Sequence, residues 1–536
     1  YVMKRLLSLL TIMVFMTGMV MAQSNSASTT QNGNNNQATQ TQSGSDNEAT
    51  IEQGFGGSGE QASMKVQNDG EAIQEQNGTL NEATIKQRSG SWTSGNYSKQ
   101  DQDGKRNEAT MIFYNAGNWS EQIQNGEGNT SYGQVSGQNN SVTTSQQGQG
   151  NWAKARLLQS NNSSATIEQV GEDNRGEVSS TGEGNEAVIK QEGNDHDAYQ
   201  EQNGQDNKAV SVTGQFFSAE GTETEQIQEG NSNLSRFEMQ RGSENYARSV
   251  QNGDNNHVFY RVRGDNNSAV FNQASYSPGN VASAITKGNE NEIVVDQDGT
   301  GNMVSTKWGD GIYQEGDYNV AEVTQEGEDN FATIDQLGSS NDAYYQVKGD
   351  GNKFWATQEG GPHNMMNFDL YDEHDGDLNS NNYVRATQEG MENDMWVTLK
   401  GDNTNEATSG ADFEFTQEGD HNQIRGITEE QGFIHTPDNS EAFFYEGDQA
   451  EQFTIAQEGE LNIVEGDIRH GAYMDLNIQQ NGSSNYTQID SRDWNNTIDV
   501  DQMGSGNVGT IYQRGGSNAA TIYQNGMNNT ANITQH

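Results

Sequence analysis

The residues of this chain predict an all-β fold, a β-solenoid of stacked strand–turn–strand rungs with amyloid-like pairing, on three observations. A row of asparagine, alanine, isoleucine and glutamine occupies every second position, as in Asn185, Ala187, Ile189 and Gln191. The row recurs at intervals of eleven, with Asn319, Asn330, Asn341 and Asn352 as one run and Asn496, Asn507, Asn518 and Asn529 as another. Glycine-rich links such as "GEGN" at 182–185 and "GSGN" at 504–507 separate successive rows.

Each part of the unit has a physical reason. Period two is strand geometry, because successive side chains point to opposite faces of a sheet. The intervening positions, such as Glu186, Val188 and Lys190, carry a mixture suited to solvent. The links supply residues that tolerate positive φ, as a tight turn requires. Seven strand residues and four link residues make eleven, so two units form a rung of about 22 residues. Roughly 40 units, degenerate ones included, give roughly 20 rungs; at ~4.8 Å per rung the stack spans on the order of 100 Å.

The amides belong to the inward row because stacked Asn or Gln side chains can hydrogen-bond one another along the axis. The expected ladder residues are Asn185, Gln191, Asn319, Gln325, Asn330, Gln336, Asn507, Gln513, Asn518, Gln524, Asn529 and Gln535. The expected thin core between them is Ala187, Ile189, Ala332, Ile334, Ala520, Ile522, Ala531 and Ile533. Such a core answers a compositional problem. Only 30% of residues are hydrophobic and the net charge is −49, from 28 basic and 77 acidic side chains. Alone, that composition describes a disordered chain, but disorder gives no reason to hold a register over most of 536 residues. The three prolines, Pro278, Pro362 and Pro437, fall in links or interruptions, where no ladder hydrogen bond is lost.

The chain divides into a signal peptide (1–22), a short polar segment (23–35) and the repeat array (36–536). Lys4 and Arg5, the apolar stretch Leu6–Val20 and the small residue Ala22 form the leader. Loop insertions interrupt the array near 213–221, 361–380, 402–411 and 426–449. No later segment reaches the ~20 apolar residues of a spanning helix, so no membrane span is expected in the mature chain. Strong acidity argues against nucleic acid or anionic lipid as partners.

The unit resembles the curlin repeat of curli, the extracellular amyloid fibres of Gram-negative biofilms, whose pattern is Ser-x5-Gln-x-Gly-x-Gly-Asn-x-Ala-x3-Gln. In "NVGTIYQRGGSNAATIYQ" (507–524), Asn507 takes the serine place and Gln513, Gly515, Asn518, Ala520 and Gln524 follow. "NVAEVTQEGEDNFATIDQ" (319–336) supplies Gln325, Gly327, Asn330, Ala332 and Gln336, with Asp329 replacing the second glycine. The resemblance implies a subunit that polymerises with itself at the cell surface. It also implies an outer-membrane secretion pore, accessory factors and a nucleator as partners. Two features depart from the family: the array is unusually long, and "QSNSASTTQNGNN" does not match the pore-targeting leader of familiar subunits.

No enzyme is expected and no cofactor. Gly54–Gly59 satisfies G-x-G-x-x-G, but no βαβ pattern surrounds it. The histidines (His196, His257, His363, His374, His421, His435, His470, His536) show no metal-ligand spacing. The acidic stretch 369–379 could attract divalent cations weakly but misses EF-hand spacing. "QEG" recurs eight times, which places glutamates at strand exits where stacking brings carboxylates together and could gate assembly by pH or ions. The function expected is a secreted fibre-forming structural protein that grows by templated strand stacking, with the last unit offering an unpaired edge. The alternative is a monomeric solenoid adhesin that binds a surface or glycan through its loops.

Overall fold

The computed structural model of the chain describes residues 24–31, 36–53, 70–87, 95–214, 219–305, 311–372, 383–401, 412–424, 444–446, 450–466, 468–469, 474–491, 497–515 and 517–536. They fall into two compact units, 1–213 and 214–536. Each unit is a β-solenoid of parallel strands with about 23 residues per turn, and no helix occurs among the described residues.

In unit 1 the strands alternate between two sheets. The first holds Glu48–Gln53, Glu82–Gln87, Glu108–Phe113 and Thr130–Gln138; the second holds Gln37–Ser45, Glu71–Thr79, Tyr97–Lys105 and Trp119–Glu127. Unit 2 repeats the plan, its first sheet running from Glu223–Asn231 to Thr530–Gln535 and its second from Leu234–Arg241 to Ala519–Met527. Pairing is in register, one repeat position on the same position of the next turn: Ala49 on Ala83 on Ala109, and Ile489 on Ile511 on Ile533.

The alternation of small and large residues follows from this register. The two strands of a turn run in opposite directions, so the alanine position of one sheet faces the isoleucine position of the other. Gly176 occupies such an alanine position, and a Cβ there would lie 2.9 Å from Ile167 Cγ2 and 3.5 Å from Ile189 Cγ2. At Gly176 a residue larger than alanine has no room, although Val142 is accommodated at another alanine position, while the isoleucines Ile51, Ile85, Ile167, Ile189 and Ile334 are fully buried. Each such burial contributes about 2–3 kcal/mol. Unit 2 departs locally from this thin core. Phe237, Tyr260 and Phe271 form a buried ring cluster, and Tyr345 stacks on Phe354 with centroids 4.4 Å apart.

The links define two kinds of corner. From the second sheet to the first, glutamine and asparagine stand five apart, as in Gln102–Asn107, Gln314–Asn319, Gln457–Asn462 and Gln502–Asn507. Gln358–Asn364 is one longer and holds Pro362. From the first sheet to the second the separation varies: Asn161 to Ser164 is short, whereas Gln53 to Glu71 and Gly401 to Asp412 are long.

Several expected boundaries differ from the strands found. Ser26–Gln31, assigned from sequence to the polar leader segment, pairs with Glu48–Gln53, placing Ala27 on Ala49 and Gln31 on Gln53. Met365–Asp372, within the interruption expected at 361–380, pairs with Asp342–Lys348 and Asp394–Gly401. Phe444–Glu446 and Ala219–Glu220 are short strands inside two other expected interruptions. The signal peptide, the glycine motif at 54–59, Pro437, the insertion at 402–411 and most of that at 426–449 lie outside the described residues.

Candidate functional site: the amide rails

The inward amides of each turn meet those of the next and form continuous rails. In the second sheet of unit 1, Gln42, Gln76, Gln102, Gln124, Gln146, Gln169 and Gln191 are joined Nε2 to Oε1 at 2.8–2.9 Å. In unit 2 the corresponding rail runs from Gln314 through Gln336, Gln358, Gln388, Gln417, Gln457, Gln480 and Gln502 to Gln524 at 2.7–3.0 Å. Each bond has the same sense: the earlier turn donates and the later turn accepts. A second contact fixes that sense, because Nε2 also donates to backbone carbonyls, which can only accept. Gln336 Nε2 donates to Val320 O and Asn341 O, both at 2.8 Å.

Asparagines line the corners in the opposite sense. Asn319 donates from its backbone N (2.9 Å) and its Nδ2 (3.1 Å) to Asn291 Oδ1 of the preceding turn, and accepts both contacts from Asn341. Asn330 does the same between Asn302 and Asn352. Asn507 joins Asn485 to Asn529 and also donates to Gly526 O at 3.1 Å. Asn185 donates its backbone N to Ser163 Oγ at 3.2 Å, and its Oδ1 accepts from Asn207 N at 3.0 Å.

Not every rail is unbroken. Gln325 accepts from Gln297 at 2.8 Å, but Val347 follows it in register, and the buried Gln325 Nε2 has no partner. Gln513 donates to Gln535 at 2.7 Å while Ser491 precedes it, and the buried Gln513 Oε1 has no partner. In the first sheet of unit 1 the column from Gln31 through Gln53 and Gln87 meets Phe113, then Val135 and Leu157. Asn518 donates to Gly515 O; the asparagine expected before it in the same rail, Asn496, lies outside the described residues. Between the rails Ala187, Ile189, Ala332 and Ile334 are fully buried, Ala520 and Ile522 nearly so, and Ala531 and Ile533 pack half-buried against them.

Outward columns carry the charge. Glu48, Glu82 and Glu108 are consecutive in register, and burial, then Glu108 and Glu48, push the Glu82 carboxyl above its usual range. The glutamates of four "QEG" motifs, Glu359, Glu389, Glu418 and Glu458, are likewise consecutive. Stacking also gathers residues that the sequence scatters. His363, Glu392 and His421 occupy the left-handed position of one corner on successive turns, with His421 Nε2 2.7 Å from Glu392 Oε2. No group of three or more His, Cys, Asp or Glu arranged to hold a metal occurs among the described residues. The described residues include no helix long and apolar enough to cross a membrane.

The family model of the curlin associated repeat matches residues 22–54, 160–193, 288–327, 311–338, 327–360 and 509–536. No curated protein matches the sequence. The six matches fall in both units, on turns built from the amide rails and alanine–isoleucine core described above. The chain thus carries stretches similar to the curlin associated repeat at six places along its length.

Proposed function

We propose that this protein is a secreted structural component of a curli-like extracellular fibre, assembled by templated β-strand stacking. One observation carries the reading: the same inter-turn contact, with the same residue types in the same register, recurs along the stack. Gln297 on Gln325, Gln336 on Gln358 and Gln502 on Gln524 are interchangeable contacts. A turn contributed by another copy can therefore use the interface already present within one copy, with backbone ladder bonds and amide rails continuing across the junction. The fold and the matched repeat are those of a structural protein rather than of an enzyme.

In this reading Asn185, Gln191, Asn319, Gln325, Asn330, Gln336, Asn507, Gln513, Asn518, Gln524, Asn529 and Gln535 act as the stacking contacts. Export places the chain at the cell surface of a Gram-negative biofilm, with a pore and nucleator as partners. Purified mature chain incubated in physiological buffer should give fibres by negative-stain microscopy, with amyloid-dye binding and a ~4.8 Å meridional reflection. A single sharp monomeric species in sedimentation, with no dye binding, would overturn the proposal.

A further inference from the structure

The outward face of the first sheet of unit 1 holds a groove of ≈ 430 Å³, spread over Glu108–Phe113, Thr130–Gln138 and Trp152–Asn161. Its shape follows from the register. Glu108, Thr130 and Trp152 form one column, Thr110, Tyr132 and Lys154 the next, and Ile112, Gln134 and Arg156 the third. The short side chains of Thr110 and Thr130 leave a hollow between the bulk of Tyr132 and Trp152. One face of Trp152 is covered by the Arg175 guanidinium of the following turn, 5.1 Å from the ring centroid. Lys154 Nζ also stands 5.9 Å from that centroid, but Thr130, the preceding residue in register, is too short to cover the indole, so aromatic surface still borders the hollow.

Arg156 is the unusual member. Outward cations of this acidic chain commonly have a carboxylate within reach: Lys154 has Glu177 at 2.5 Å, Lys190 has Glu168 at 2.8 Å and Lys208 has Glu186 at 2.8 Å. Arg156 has no ion pair among the described residues. Its register neighbours are Gln134 and Ser179, and its Nε is buried without an acceptor. The buried Nε is closed to a ligand. The terminal Nη groups, without an ion pair among the described residues, are left for an oxygen acceptor from outside, best a planar carboxylate that takes two parallel N–H bonds.

We propose that this groove binds a glycan residue carrying a single carboxylate, a uronate-type sugar. Its ring lies on the uncovered surface of Trp152 beside Tyr132, and its carboxylate meets Arg156. The C–H face of a pyranose matches the negative face of an aromatic ring, and Thr110, Thr130 and Gln134 supply neutral hydrogen-bonding groups around it. A peptide fits less well, because the strands under the groove are paired on both sides and offer it no free sheet edge. A densely charged polyanion is disfavoured by the net charge of −49. The site does not depend on polymerisation, since it lies on a sheet face rather than at the end of a stack.

The test is titration of the full chain with a trisaccharide ending in glucuronate, with its glucose-ended counterpart and with a short glutamate-rich peptide. The glucuronate sugar should bind at least about tenfold more tightly than the glucose sugar, and more weakly as salt rises. Arg156→Gln should lower that affinity about tenfold to a hundredfold, and Trp152→Leu should weaken both sugars together. Lys190→Gln, on the other sheet, should change neither. Equal binding of the two sugars, a preference for the peptide, or no sugar binding by the wild-type chain would each overturn the proposal. So would an Arg156→Gln chain that binds as the wild type does.

Discussion

The two corners of each turn are made from similar residues yet behave differently. Where the corner leading from the second sheet to the first carries a glutamine, asparagine or histidine follows five residues on, or six after Gln358, whereas the opposite corner takes long insertions even after glutamine. Both mostly end in asparagine, so the motif alone does not distinguish them. At the constant corner the glutamine Nε2 reaches the carbonyl of the asparagine five residues on, as Gln124 reaches Asn129, Gln314 reaches Asn319 and Gln388 reaches Asn393 at 3.0–3.1 Å. The glutamine does not distinguish them either, since Gln202 makes the same bond to Asn207 O at the variable corner. The same bond also spans longer links: Gln358 reaches Asn364 O at 3.0 Å, Gln87 reaches Asn96 O at 3.3 Å and Gln53 reaches Gly70 O at 3.2 Å. At the other corner of unit 1 the column Phe113, Val135 and Leu157 makes no such bond, yet Asn118 and Asn140 follow Phe113 and Val135 at the usual separation of five. The glutamine bond thus anchors the start of the next strand, and the loop that bulges out between its two ends is free to lengthen.

The largest effect should come from the glycine of the constant corner. Gly504 has φ +112°, and a Cβ there would stand 1.9 Å from Gly526 O of the next turn. Gly504→Ala should cost about 3 kcal/mol or more, because backbone rather than a flexible side chain must yield. Hydrogen exchange should show lost protection in the turns around 497–515. By contrast, four residues inserted between Ser491 and Thr497 should leave protection nearly unchanged.

Next in size is Gln417→Leu. Gln417 accepts from Gln388 and donates to Gln457 Oε1 and Asp394 O, so its loss removes three buried hydrogen bonds and takes the rail donor from Gln457 Oε1. The cost should be about 2–3 kcal/mol, read as a lower denaturation midpoint. Replacement by Asn, too short to reach, should not rescue it.

A smaller effect depends on pH. Glu82 follows the asparagine of a constant corner, and its folded carboxyl titrates above the usual carboxylate range because of burial and of Glu108 and Glu48. The native state then binds more protons than the unfolded one, so the penalty is present at neutral pH. It disappears as pH falls through the folded pKa toward the unfolded one. The wild-type chain should gain stability on mild acidification, and Glu82→Gln should gain less, as followed by melting temperature between neutral pH and pH 4.

The smallest expected change is a gain. Val347→Gln would place an acceptor after Gln325 Nε2, now buried without one, and should raise local stability by about 1 kcal/mol. A loss of protection around 342–348 would mean that the added amide is itself left unsatisfied.

Much of this architecture is legible in the sequence, for a simple reason. Period two fixes which side chains point inward, so Asn319, Ala321, Val323 and Gln325 sort themselves without coordinates. What stays hidden depends on which residue lies one turn away. The break at Val347 shows only when Val347 is set on Gln325, and the gathering of His363, Glu392 and His421 joins residues whose turns each hold an insertion. Ser26–Gln31 and Met365–Asp372 escape notice because they lack the full asparagine–alanine–isoleucine–glutamine row, and neighbours in register make them strands. The open groove beside Arg156 is likewise a property of three stacked turns and of none alone.

The opposed senses of the two kinds of rail have a vectorial consequence. Every glutamine bond in a rail runs forward along the stack and every rail asparagine bond runs back, so the amide dipoles of the two sets partly cancel. A long column of aligned amides would otherwise accumulate a dipole along the axis, as peptide units do in a helix. Cancellation lets the stack lengthen without that growing electrostatic burden. It also gives the stack a one-way sense, since a turn offered upside down would set NH2 against NH2 on the glutamine side and carbonyl against carbonyl on the asparagine side. Direction is thus written into the side chains twice, with opposite sign.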